Sequence, residues 1–228
     1  MGKIPNTVME RIRHLLSSRN DHLELYERML SADCGRLFGP DFVAQATLHR
    51  SLSLINGFVL MVKNRNFMCA LPLLRLQVDS LIRLYSLTLV DDTNPVVSAL
   101  FKGTPLRKVK SRNGERMTDA YLHQQASKLW PWVSKVYQWA SQFVHFSAPI
   151  VTAPVERIDE SSGAFLTCVG NGGREWREDE MLEALNIFDA ATRALLGLIK
   201  SWIEKKESVA KIRETCPRED NYGTKTIT

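Results

Sequence analysis

A chain of 228 residues, 44% hydrophobic and 24% charged, is long enough to bury a sizeable core and too apolar to be disordered throughout. Its longest apolar runs, such as Phe58-Val59-Leu60-Met61-Val62, are far too short to span a membrane, and residues 1–6 lack the apolar stretch of a secretory leader; a cytoplasmic protein is expected. The net charge of +5 falls within residues 102–116, where Lys102, Arg107, Lys108, Lys110, Arg112 and Arg116 stand against one acid, Glu115, so attraction for anions is concentrated there.

Helical periodicity governs most of the chain. Val8, Ile12, Leu15 and Leu16 share one face of a helix predicted over residues 5–30. Gly39-Pro40-Asp41 stops and restarts the chain, with Pro40 in a first turn where its missing N–H costs nothing. A second helix to residue 62 turns Leu48, Leu52, Ile55 and Val59 inward. A third is predicted over residues 67–90, kinked at Pro72 or regular only from Leu71. A short helix over 95–101 leads into the basic loop. Thr118 reads as an N-cap for a segment to residue 129, and Pro131 opens a helix to residue 147.

After Pro149 the character changes. Residues 150–158 and 164–169 are β-rich and flank Asp159-Glu160-Ser161-Ser162-Gly163, which predicts a hairpin, and residues 170–173 form a second turn. A long helix over 178–207 then turns Met181, Leu185, Phe188, Thr192, Leu195 and Ile199 inward. The expectation is a mainly α protein: one bundle of about six or seven helices with a small β-hairpin near residues 150–169. It forms one domain over residues 1–215, followed by a flexible tail over 216–228.

Cys34, Cys69, Cys168 and Cys216 contain no Cys-x-x-Cys pair, so reduced thiols are expected, with neither a disulfide framework nor a metal site. No P-loop, dinucleotide fingerprint or nucleophile elbow occurs, and no cofactor is expected. Two helices carry the informative pattern. Positions i, i+4 and i+8 form a slanting row on a helix, and the third helix places Arg75, Asp79 and Arg83 there, beside the apolar Leu71, Leu74, Val78, Leu81 and Ile82. The helix after Pro131 places Tyr137, Ser141 and His145 beside Val133, Val136, Ala140, Phe143 and Val144. Packing the two apolar stripes together would bring the rows together in a polar pocket. An ordinary helix ion pair between Asp79 and Arg83 and a structural histidine are the alternative reading.

Three stretches together resemble a group of bacterial all-helical proteins with no assigned activity. They are Pro72-Leu73-Leu74-Arg75-Leu76-Gln77-Val78-Asp79 with Arg83; Arg112-Asn113-Gly114-Glu115-Arg116-Met117-Thr118-Asp119-Ala120-Tyr121-Leu122; and Trp132 through Val136-Tyr137 to Ser141 and His145-Phe146-Ser147. The group tends to carry an acid where Ser111 stands here. The resemblance implies a shared site without naming its chemistry.

Three function classes follow. The first is binding of an anionic ligand (a nucleotide, nucleic acid or phosphorylated metabolite), with bidentate donors from Arg75 and Arg83, hydrogen bonds from Tyr137 and Ser141, and the basic loop as a cover. An aromatic platform would favour nucleic acid, and the loop itself has none. The second is a metal-independent ribonuclease of the HEPN type, which uses Arg-x(4–6)-His. The one literal match is Arg116 with His123, and it straddles the Thr118 cap; Arg75 and His145 are the catalytic candidates from separate helices. The third is a protein-interaction component of a bacterial defence or toxin–antitoxin system, with a homodimer as one form, anchored by some of Trp130, Trp132, Trp139, Trp176 and Trp202.

Overall fold

In a computed structural model, residues 4–145, 147–159, 162–167 and 177–212 are described. Four long helices make the bundle: α1 (Asn6–Ser31), α2 (Gly39–Lys63), α3 (Phe67–Tyr85) and α8 (Glu178–Ile212). Between α3 and α8 come α4 (Asn94–Phe101), α5 (Asp119–Leu129), α6 (Trp132–Ser141), the one-turn α7 (Ala148–Thr152) and the strands β1 (Val155–Asp159) and β2 (Ala164–Thr167). The protein is therefore mainly helical, with eight α-helices among the described residues and one antiparallel hairpin. No described helix is long and apolar enough to cross a membrane.

Each long helix follows from its sequence. On α8, Met181, Leu185, Phe188, Thr192, Leu195, Ile199 and Ile203 recur at helical spacing and all are buried. Phe188 stacks on Phe58 of α2 with ring centroids 4.3 Å apart, near the bundle centre. The start of α2 is fixed by Asp41, whose carboxylate accepts the Phe38 N–H at 2.7 Å. Asn66 caps α3 by accepting the Cys69 N–H at 3.1 Å. Pro72 lies inside α3, which runs on as one helix from Phe67.

Two buried polar assemblies fix the register of the bundle. Lys206 of α8 donates to the Met29 carbonyl at 2.9 Å and to Asp41 at 3.1 Å, while the Trp202 indole donates to the other Asp41 oxygen at 2.7 Å. The second crosses all four long helices. The His22 ring meets the Ser18 carbonyl at 2.7 Å and the Ser51 hydroxyl at 2.9 Å, and Gln77 donates to Ser51 and to Thr192. Burial holds the His22 pKa below its ordinary value, so the neutral ring takes part.

Several sequence expectations need correction. The third helix ends at Tyr85 and passes into a 3-10 turn over Ser86–Leu89. The helix after Pro131 ends at Ser141, six residues before the expected stop, because the N–H groups of Gln142, Phe143 and Val144 bond three residues back rather than four. The first part of the expected strand, residues 150–152, belongs to α7, whose turn bonds to the Ser147 carbonyl. The final helix runs past residue 207 to Ile212. Cys34 is disulfide-bonded rather than reduced; widely spaced cysteines give no local signal of pairing. The turn at 170–173, Trp176 and the tail after residue 215 lie outside the described residues.

Candidate functional site

The α3 row is assembled as its spacing dictates. Asp79 sits between the two arginines, 3.7 Å from Arg75 and 3.4 Å from Arg83, and Arg83 reaches on to Asp119 at 2.7 Å. The buried Val133, Val136 and Ala140 turn α6 toward α3 and bring up its own row. The Arg75 Nε–H donates to the Ser141 hydroxyl at 3.0 Å. Its guanidinium carbon lies 3.2 Å from the centroid of the Tyr137 ring, a cation–π stack. Burial lowers the Arg75 pKa and Asp79 opposes that shift, so the group stays a cation.

Four of the five residues expected in one pocket, Arg75, Asp79, Tyr137 and Ser141, therefore converge, and Arg83 joins them. His145 does not. It is exposed in the turn after α6, and among the described residues no hydrogen bond or ion pair ties its side chain to Arg75. The regular helix ends at Ser141 and the next three N–H groups bond three residues back, so the i+4 spacing from Ser141 to His145 no longer projects a helical row.

His123 of α5 stands in its place. Its ring meets Tyr137 edge-on, with centroids 3.4 Å apart and planes at 72°. Burial, and then the Arg75 charge, push its pKa down to about 4, so it is neutral at pH 7. Asp119 and His123 form another i, i+4 pair, on α5 beside the buried Leu122 and Ala126. The rule that found the other two rows applies equally to this one. Arg116, the literal partner of His123 in the Arg-x6-His match, is exposed while His123 is buried, so the pair is not assembled.

No family model, curated protein or solved structure matches this chain. Among the described residues no three His, Cys, Asp or Glu side chains are placed to hold a metal ion.

Two open clefts meet at Arg83. One, of about 280 Å³, lies between α2, α3 and α4, with Phe42, Val43, Leu100 and Phe101 as apolar walls and Thr47, Arg50, Asp79 and Ser80 as polar lining. The other, of about 470 Å³, is lined by Thr104, Pro105, Leu106, Arg107, Met117, Thr118 and Asp119. Arg75, Tyr137 and Ser141 line neither. They fill the space between α3 and α6, and through Asp79 they hold Arg83 at the junction of the clefts.

The basic segment is more ordered than its composition suggests. A 3-10 turn over Leu106–Lys108 leads into a miniature hairpin, where Lys110 pairs with Arg116 and the Met117 N–H donates to the Val109 carbonyl. Gly114, at φ 80°, makes the tight turn. Three latches hold it. The Tyr121 hydroxyl donates to buried Ser111 at 3.0 Å, the Arg112 N–H donates to the Leu89 carbonyl at 2.9 Å, and the Arg112 guanidinium donates to the Thr88 carbonyl at 2.6 Å. Strand alternation sends buried Met117 inward and Lys110 and Arg116 outward. All six basic side chains are exposed. Arg112 is occupied as a latch, and among the described residues Lys102, Arg107, Lys108, Lys110 and Arg116 have no acidic partner.

Proposed function

We propose that this protein binds a polyanion, with nucleic acid as the ligand class, along the basic hairpin and the cleft beneath it. One observation carries the reading: the segment from Lys102 to the latched hairpin holds five exposed, unpaired cations, Lys110 and Arg116 on the hairpin itself, beside a 470 Å³ cleft that Arg83, Arg107, Thr104, Thr118 and Asp119 line. A hairpin already ordered in the free protein loses little entropy on binding, so its charges act at full effect. Arg107 supplies a planar fork for phosphate oxygens, Arg83 adds the edge of its guanidinium that Asp79 and Asp119 do not hold, and the two threonines supply neutral hydrogen bonds. In this reading Arg75, Asp79, Tyr137, Ser141 and His123 are positioning residues that hold Arg83. The residues that touch ligand are Arg83, Arg107 and the hairpin cations.

No cleavage step belongs to this proposal, because His123 is buried and uncharged and His145 stands apart from the arginines. A cytoplasmic site of action goes with nucleic acid; the free thiol of Cys69 suits that compartment, and the disulfide at Cys34 does not. The test is fluorescence anisotropy with a labelled oligonucleotide, comparing wild type, Arg107→Glu and Lys108→Ala/Lys110→Ala/Arg116→Ala. Arg112 is left intact so that the hairpin keeps its latch. The expected result is a loss of affinity of about tenfold or more in each variant at low salt. Unchanged affinity would remove the hairpin from the binding surface.

A further inference from the structure

The apolar cleft on the other side of Arg83 has no part in phosphate binding, yet it opens from the same arginine. Leu100 also lines both clefts, so they are adjacent along one side of Arg83. At the outer edge of the apolar one stand Phe42, 44% exposed, and Phe101, 68% exposed. Their rings pack edge to face with centroids 6.1 Å apart. Two aromatic rings in contact and open beside a cationic junction fit a partner that is flat, apolar on its face and attached to negative charge. Phe101 is also the residue immediately before Lys102, where the basic segment begins. The aromatic platform that the basic segment lacks in sequence is thus supplied by its neighbour and by α2.

We infer that the apolar cleft receives one unstacked base of a single-stranded nucleic acid whose backbone lies on the basic cleft and hairpin. The inference rests on the polyanion reading and deepens it. A phosphate held at Arg107 beside Arg83 leaves its nucleoside at the junction, and the base stacks against the exposed side of the Phe42–Phe101 ring pair. Thr47, Arg50, Asp79 and Ser80 line the same cleft and offer both donors and acceptors to the edge of the base. A duplex cannot present a base this way without unpairing it, so single strands are selected.

The experiment compares a single-stranded DNA oligonucleotide with an abasic deoxyribose-phosphate strand of the same length, at low salt, by competition anisotropy. Stacking of one base on an aromatic ring strengthens binding by about 5- to 150-fold. Wild type is expected to prefer the base-bearing strand by a factor in that range. Phe42→Ala/Phe101→Ala is expected to lose the preference while keeping its affinity for the abasic strand. Both rings are exposed, and an unchanged melting temperature in that variant checks that the fold is intact. Equal binding of the two strands by wild type overturns this inference and leaves polyanion binding standing. A preference that survives in the double variant also overturns it. If neither strand binds wild type, the polyanion reading itself fails.

Discussion

His123 makes stability depend on pH in a direction and amount that follow from its surroundings. Its ring is buried against Tyr137 near the Arg75 charge, and its pKa falls from 6.5 to about 4. The unfolded chain therefore binds a proton at this residue between about pH 6.5 and pH 4 that the folded chain refuses. Stability must fall as pH drops through that window, and be fully present above it. Linkage with those two values gives a loss of about 2 kcal/mol between pH 7 and pH 5. For a domain of this size that lowers the melting temperature by about 4–8 °C. Urea unfolding of wild type and His123→Gln at pH 7, 6 and 5 isolates the effect, because glutamine cannot titrate. The pKa of His22 is also lowered by burial, but its contribution is common to both proteins and cancels in the difference. The gap between the two stability curves should narrow by about 2 kcal/mol on acidification. Parallel curves would show that His123 is not held neutral, and would undo the account of how Tyr137 and Arg75 are packed.

Three further outcomes are expected. Lys206→Met leaves Asp41 buried with its charge uncompensated and should cost about 3–5 kcal/mol, read from the urea midpoint. Arg112→Lys keeps the charge but loses the guanidinium bonds to the Thr88 and Val90 carbonyls; amide exchange over residues 109–117 should accelerate and oligonucleotide affinity should fall, whereas unchanged exchange would mean the latch is not what orders the hairpin. Arg75→Gln removes the Tyr137 stack and an ion pair and should cost about 1–3 kcal/mol; loss of binding without loss of stability would place Arg75 on the ligand instead of behind Arg83.

The helical layout was legible because each long helix buries a stripe at helical spacing, and the α3 and α6 rows could be read from the same rule. Two limits of that rule explain what was not legible. Projecting a row onward assumes the helix continues, and the three-residue bonds after Ser141 broke the row before His145. On α5 the row is only two residues long, Asp119 and His123, too short to stand out in the sequence, although it completes the network around Tyr137. Other features have no local signature at all. Phe42 and Phe101 are far apart in sequence and meet only because α4 packs on α2. Arg112 looked like one more cation in a charged run, and its role as a latch depends on carbonyls more than twenty residues earlier.

In the proposed complex the unpaired cations of the basic segment and its cleft bind a nucleic-acid backbone. The most direct test is the salt dependence of that binding. If all five of Lys102, Arg107, Lys108, Lys110 and Arg116 neutralise phosphates of a single strand, the logarithm of affinity should fall against the logarithm of salt with a slope near about −3.5. The Lys108→Ala/Lys110→Ala/Arg116→Ala variant should then be shallower by about 2. A slope near zero, or one identical in wild type and variant, would contradict the account.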